Sequence, residues 1–326
     1  MNVLLVGLGR WGEKHLRVLT GLGVTVWVAD VSAARVAWAV RQGVPVERAV
    51  TDYRRVVAQV DAVDIVTPAD SHLEVAAACL AAGRHCFIEK PLAISAEEGR
   101  QIVAAADAAA RVVQVGHIFR FHPVTATIRG ALAEGRLGRV RFATGRFAGF
   151  KRPRTDVGVT HTDAIHYFDL FAYLLGRNAT SVTALQRDLL GRGLDDMSLT
   201  TVTYGDVPVI VEANYFVPGT QRECVVVAEQ GALVADYASS TVRFHAGEHV
   251  RRGEAWEAID KGKEELSVSR EEPLQAELAA FLEACAGRSR PLVDARAGLH
   301  AVEIVEAAAL ATRLGRTVAL SELSTS

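Results

Sequence analysis

Two stretches of the chain carry residue types and spacings suited to holding a dinucleotide and acting on a bound alcohol. Residues 7–12 read Gly7-Leu8-Gly9-Arg10-Trp11-Gly12, a G-x-G-x-x-G that follows an apolar run and opens an amphipathic stretch. In that setting Gly7 permits a tight turn, Gly9 lets backbone approach a pyrophosphate, and Gly12 lets helix and strand pack closely. The N–H groups and dipole of the helix would then hold the phosphates. Asp30 lies eighteen residues after Gly12, at the end of a second apolar run. A carboxylate there accepts from both hydroxyls of the adenosine ribose and repels a 2′-phosphate, which predicts NAD over NADP. Its other reading is a helix N-terminal carboxylate, and the nearby Arg35 is of the type that pairs with a 2′-phosphate. The second stretch, Glu89-Lys90-Pro91, ends the apolar run His85-Cys86-Phe87-Ile88. Ligands of parallel sheets bind outside the carboxyl ends of strands, so Lys90 there reaches nicotinamide and substrate. Pro91 stops the strand because it cannot donate to the ladder.

The second half of the chain offers the other reactive group, in Thr160-His161-Thr162-Asp163-Ala164-Ile165-His166-Tyr167-Phe168-Asp169. On a helix, Thr162 and His166 are i, i+4 neighbours, and Asp163, His166 and Asp169 step along one side. Oxidising a secondary alcohol needs a base for the proton, and histidine suits that task near neutrality. A metal site is not expected: His161 and His166 are five apart, not the four that puts both on one helical face. Asp169 reads as a cap or brace. Lys151, Arg152 and Arg154 precede this segment, either as a solvated loop or as a clamp for an anionic substrate. Arg120, before Phe121 and Pro123, either contacts a phosphate or substrate oxygen or ties two domains together.

These groups need elements to position them. Val3 to Val6, Val24 to Ala29, Ala62 to Val66, His85 to Ile88 and Val112 to Val115 are short apolar runs rich in β-branched residues. The helical stretches Glu13 to Leu22, Ser32 to Gln42, Ser71 to Ala82 and Ser95 to Ala109 separate them. That alternation predicts a doubly wound parallel sheet, a Rossmann domain over 1–122. The rest, 123–326, predicts an α+β domain with a large, mainly antiparallel open sheet. Its helices are expected at Val124 to Glu134, Thr162 to Leu174, Leu274 to Cys285 and Ala297 to Leu314. Its strands are expected at Arg139 to Phe147, Ser181 to Gln186, Met197 to Tyr204, Val207 to Phe216, Glu223 to Ala228, Leu233 to Tyr237 and Thr241 to His245. Gly247 to Ser267, polar and without clear period, reads as a surface excursion.

At 326 residues, half of them hydrophobic, the chain is long enough for two globular domains. A formal net charge of −2 supplies no basic surplus for nucleic acid or anionic membrane. Cys79, Cys86, Cys224 and Cys285 form no C-x-x-C pair and read as isolated thiols of a reducing cytosol. The absence of a basic start or cleavable apolar stretch points the same way, to a cytoplasmic protein.

With these residues in hand the chain resembles the glucose–fructose oxidoreductase, inositol dehydrogenase and MocA (Gfo/Idh/MocA) family. The likeness runs through the first-strand glycines, Thr67-Pro68 followed by His72, Glu89-Lys90-Pro91, Gly116-His117 with Arg120-Phe121 and Pro123, the segment around His166, and Asp294-Ala295-Arg296-Ala297. It implies an NAD(P)-dependent dehydrogenase acting on CH–OH groups of a sugar or polyol, with Gly7, Gly9, Arg10, Trp11, Gly12, Asp30, Thr67, Pro68, His72, Glu89 and Lys90 toward the cofactor. It implies that Lys90 transfers a proton or orients the carbinol, that His166 is the base, and that Lys90, Arg120, Lys151, Arg154, Thr162 and His166 line a substrate cleft. Many relatives carry an aspartate four residues before this histidine. Here that position is Thr162 and the acid is Asp163, so either Asp163 takes the place through a local backbone shift or threonine serves with another helper. The wording from Lys151 to Asp169 is most similar to relatives acting at C3 of UDP-N-acetylglucosamine. Competing expectations are an inositol or polyol dehydrogenase, an NAD-dependent glycosidase using transient C3 oxidation, and a ligand-sensing regulator. The resemblance also implies self-association, as a homodimer or homotetramer, through one face of the second sheet.

Overall fold

The computed structural model of the protein describes residues 1–325. The chain forms two compact units: Met1–Ile118 with Glu272–Val302, and Phe119–Glu271 with the chain from Glu303 on. The first unit therefore takes a late segment that the linear division at residue 122 assigns elsewhere.

In the first unit, β1 (Asn2–Val6), β2 (Thr25–Ala29), β3 (Ala49–Val50), β4 (Ala62–Ile65), β5 (His85–Glu89) and β6 (Val113–Gly116) alternate with helices. The helices are α1 (Arg10–Gly21), α2 (Ala33–Arg41), α3 (His72–Ala81) and α4 (Ala96–Ala109). The strands pair in the order β3-β2-β1-β4-β5-β6, every pair parallel. The sequence reading named five of the six; β3 has two residues, too short for a periodic signal. Strand order reverses on either side of β1, which makes the carboxyl ends of β1 and β4 the switch point where such sheets bind ligands. Each strand is nearly all apolar because helices cover both faces. Ser95 caps α4 by accepting from the Glu98 N–H at 3.2 Å, the first half of a capping box.

The second unit opens with α5 (Pro123–Ala133), started by Pro123 and by His122, whose ring nitrogen accepts from the Val124 N–H. Strand β7 (Val140–Gly149) follows, then a π-helical turn over Thr160–Ala164 that runs into α6 (Ile165–Leu175). Strands β8 (Ala179–Arg187), β9 (Met197–Tyr204), β10 (Val207–Asn214), β11 (Thr220–Ala228), β12 (Gly231–Asp236), β13 (Thr241–Arg252) and β14 (Ala255–Leu266) come next. Two helices close the chain, α7 (Pro273–Cys285) and α8 (Ala295–Leu314), with a short β15 (Val318–Ala319) after them. Helix α7 belongs to the first unit: Leu274, Leu278 and Phe281 complete the core formed by Leu5, Leu19 and Phe87.

The nine strands of this unit pair in the order β14-β13-β12-β11-β7-β10-β9-β8-β15. All neighbours are antiparallel except β7 and β10. The segment Gly247 to Ser267 is not a surface excursion. Residues through Arg252 extend β13, and Ala255–Leu266 returns as β14, paired along its length. Nearly every β14 side chain is exposed, so the strand has no buried face to imprint an alternating pattern. No helix among the described residues is long and apolar enough to cross a membrane.

Candidate active site

The glycine loop is built as the sequence implied. Gly7 has φ of 99°, a left-handed conformation, and a Cβ there would lie 2.6 Å from the Val66 carbonyl oxygen. A Cβ on Gly12 would lie 2.1 Å from the Gly7 oxygen, whereas one on Gly9 would meet nothing within 4 Å. The loop is thus packed hard on its inner side and open at Gly9. Gly9 is also the N-cap of α1, and no side chain caps that end. An open glycine beside uncapped helix N–H groups fits the pyrophosphate of a dinucleotide. Gly12→Ala is therefore expected to weaken NADH binding at least about tenfold, the equivalent of about 1.4 kcal/mol. A protein-fluorescence titration reads this directly, and unchanged affinity would contradict the assignment.

Asp30 faces that loop: Oδ2 accepts from the Leu8 N–H at 2.7 Å and Oδ1 from the Ser32 N–H at 2.8 Å. The carboxylate thus ties the glycine loop to the turn that leads into α2, whose N-cap is Ser32 and not Asp30. Arg35 donates to the Leu8 carbonyl at 2.6 Å and to Glu13 at 2.6 Å, and lies 4.6 Å above the Trp38 ring. Its charge is thereby matched by Glu13. Next to the loop, Ser71 donates to Thr67 at 2.8 Å. The His72 ring lies between the Pro91 carbonyl, 2.9 Å from Nδ1, and the Thr67 carbonyl, 3.0 Å from Nε2. Burial lowers its pKa. His72 thus ties the Thr67-Pro68 turn after β4 to the proline that follows Lys90.

Glu89 ends β5, just before Lys90, and joins a buried ionic cluster that the sequence reading did not find. His15 of α1 is fully buried; Nδ1 is 2.8 Å from Asp64 Oδ2 and Nε2 is 3.2 Å from Glu89 Oε1. Burial would lower its pKa, but Asp64 and then Glu89 outweigh that and raise it to about 10. Glu89 also accepts from Trp11 Nε1 at 2.5 Å and, through Oε2, from the Lys90 N–H at 3.0 Å. Burial pushes the Glu89 carboxyl up, while His15, Lys90 and Trp11 together hold it below the usual range. Asp64, wholly buried, is raised by burial despite His15. Deleting one member of such a cluster leaves an uncompensated buried charge, at a cost of about 3–5 kcal/mol.

In the second unit, His166 is 7 % exposed at the start of α6. Its ring stacks on Phe119 at 4.9 Å and on Phe147 at 5.3 Å, within 23° and 7° of parallel. Two near-parallel aromatic faces fix the imidazole plane. Asp163 and Thr162 separate in role. Asp163 Oδ2 pairs with Lys151 Nζ at 2.7 Å, whereas the Thr162 hydroxyl is 2.9 Å from the Tyr215 hydroxyl. The π-helical turn supplies a backbone irregularity immediately before the histidine, a device often found at functional sites. His161 lies in the same turn, half-buried. Thr160 is held by Asp195, which accepts from its N–H at 2.9 Å and from its hydroxyl at 2.5 Å.

Arg120 forms a bidentate pair with Asp169, at 2.8 and 2.6 Å, the carboxylate fully buried. This is the bracing role expected of Asp169; for Arg120 the pair lies within the second unit and is not the tie between two domains that the sequence suggested. Arg154 is paired with Asp156 and, like Arg152, is exposed. Arg222, absent from the sequence-derived set, stacks 3.4 Å from the Phe147 ring centre and donates to the Ala148 carbonyl at 2.7 Å. Tyr215, Phe119 and Phe147 join it as residues that sequence alone did not single out; only the fold brings them to His166 and its neighbours.

A parallel-sheet unit with a dinucleotide cradle, joined in one chain to a mixed-sheet unit carrying a fixed imidazole, defines the class of nicotinamide-dependent oxidoreductases. Residues 1–117 match the model described as an oxidoreductase family, NAD-binding Rossmann fold, and residues 129–320 match its C-terminal alpha/beta domain. The chain belongs to the Gfo/Idh/MocA oxidoreductase family. It is 28 % identical over 319 residues to UDP-N-acetylglucosamine 3-dehydrogenase of Acidithiobacillus ferrooxidans, covering 96 % of each chain. It is 30 % identical over 255 residues to inositol 2-dehydrogenase of Paracoccus denitrificans, covering 71 % of this chain and 72 % of that one. A solved structure of the Acidithiobacillus ferrooxidans enzyme superposes with a TM-score of 0.84 at 24 % identity, over 96 % of this chain and 98 % of that one.

Proposed function

We propose that this protein is a sugar dehydrogenase that oxidises a ring secondary alcohol of a nucleotide-activated sugar to a ketone, with NAD as the oxidant. The substrate we assign is UDP-N-acetylglucosamine, at C3. The observation that carries this is the full-length similarity to UDP-N-acetylglucosamine 3-dehydrogenase, over 96 % of both chains. Bound NAD supplies the acceptor for the carbinol hydrogen. The Lys90 ammonium orients and polarises the carbinol oxygen, and the His166 imidazole takes its proton. Asp163 holds Lys151 beside the His166 segment, and Thr162 positions Tyr215. Lys151 and Arg154 already face carboxylates, so a substrate phosphate would share them with Asp163 and Asp156.

A second reading, a polyol dehydrogenase, is favoured by the inositol 2-dehydrogenases among the relatives. A panel of UDP-sugars and free polyols, run with NAD and with NADP and followed by nicotinamide absorbance, decides between them. NAD-dependent turnover confined to UDP-sugars supports the first reading; turnover confined to inositols overturns it. Cleavage of a glycoside with no net NADH would identify a glycosidase instead. Self-association is part of the proposal. Leu185, Leu199, Ile210, Phe142 and Val234 share the outward face of the nine-stranded sheet and are all exposed. An apolar sheet face of this kind suits a homodimer or homotetramer, which light scattering resolves.

A further inference from the structure

We propose that His15 is a positioning residue for the reaction: it fixes the Glu89 carboxylate, and that carboxylate fixes the backbone of Lys90 against the glycine loop. The inference rests on the reading of Lys90 as the group that orients the carbinol. Its basis is the connectivity of one buried carboxylate. Glu89 Oε1 receives Trp11 Nε1, from the glycine motif, and His15 Nε2, from the first turns of α1. Oε2 receives the N–H of Lys90. A single side chain therefore couples the pyrophosphate loop to the residue after β5.

That coupling is only as stiff as the carboxylate. A glutamate has three rotatable side-chain bonds, and its tip must be held. His15 does so from below, itself held by Asp64 through Nδ1 at 2.8 Å and by the edge of Phe87 at 5.7 Å. On the other side the backbone of Gly116 leaves the room. A Cβ at Gly116 would lie 3.0 Å from the Glu89 carboxyl carbon and 3.1 Å from each oxygen. The carboxylate is thus fitted between an imidazole and a bare glycine. A histidine that merely glued α1 to the sheet would need neither the second carboxylate nor the matching glycine.

Two variants disturb the carboxylate from opposite sides. His15→Asn removes the ring that holds it, and Gly116→Ala pushes on it while leaving His15 in place. With saturating NAD and the best substrate of the panel, each is expected to lower kcat roughly 10- to 100-fold, the scale of small misplacements of a reacting group. The NADH Kd should move far less than kcat, because the glycine turn keeps its own packing at Gly7 and Gly12 even where Trp11 loses its acceptor. A readout independent of turnover uses reductive methylation with ¹³C-formaldehyde. The chain has five lysines, Lys14, Lys90, Lys151, Lys261 and Lys263. The dimethyl-Lys90 resonance, identified by its loss in Lys90→Met, should move in both variants while those of Lys261 and Lys263 stay. Unchanged kcat with an unmoved Lys90 signal overturns the proposal, as does a fall in kcat matched by an equal loss of NADH affinity. Near-normal turnover of Lys90→Met would overturn the underlying reading of Lys90 instead.

Discussion

Lys90→Met is expected to lower kcat about 10³-fold, the usual scale for removing a preorganised donor from a developing charge. The substitution keeps an unbranched chain of similar length and deletes the ammonium alone. The Lys90 N–H still bonds to Glu89, and the contacts of Trp11 and His15 with that carboxylate are untouched. The dinucleotide cradle should survive, so NADH affinity should change by no more than about threefold. Steady-state absorbance gives the first number and fluorescence titration the second. Turnover near that of the parent protein would remove Lys90 from the chemistry; loss of both turnover and binding would make it a cofactor residue only.

The other large effect is expected at His166. Replacing it with asparagine keeps a polar side chain of comparable size but no group that can accept the carbinol proton, so kcat should fall about 10²- to 10⁴-fold. An imidazole base works only when unprotonated, so activity of the parent protein should decline toward acid pH, and that decline should be missing from the residual activity of the variant. The ring lies against Phe119 and Phe147, and its loss also costs packing. Thermal denaturation measured beside the kinetics separates the two effects: a kcat loss without a matching loss of folded protein is the chemical one.

How much of this could be read from sequence depended on the range of the interactions. The glycine loop, Asp30 and Glu89-Lys90-Pro91 are local signals, each contained in a few residues beside a strand, and all fall where the strand ends require. His15 was overlooked because its partners lie 49 and 74 residues away. On a helix with an exposed face, a single histidine carries no mark of two buried carboxylates. Arg120 could be read as either ligand or tie until its partner Asp169, again 49 residues distant, was in place. The helix carrying His166 was legible from its apolar residues. The π-helical turn before it was not, because a wider turn leaves no compositional trace. The β13–β14 hairpin was missed for a different reason: a strand exposed on both faces has no alternation to detect.

The discontinuity of the first unit bears on how the protein is made. By the time β6 has left the ribosome, every strand of the parallel sheet has been synthesised. Yet Leu274, Leu278 and Phe281 lie more than a hundred and fifty residues downstream and are still to be translated. Gln114 of β6 likewise waits for its acceptor, the Glu277 carbonyl, 163 residues later. Domains generally fold as units as they emerge, but this one cannot close its apolar surface until most of its neighbour has been made. A nascent chain stalled before α7 should therefore expose the sides of Leu5 and Phe87 to chaperones and proteases, and the cofactor should bind only after α7 has emerged.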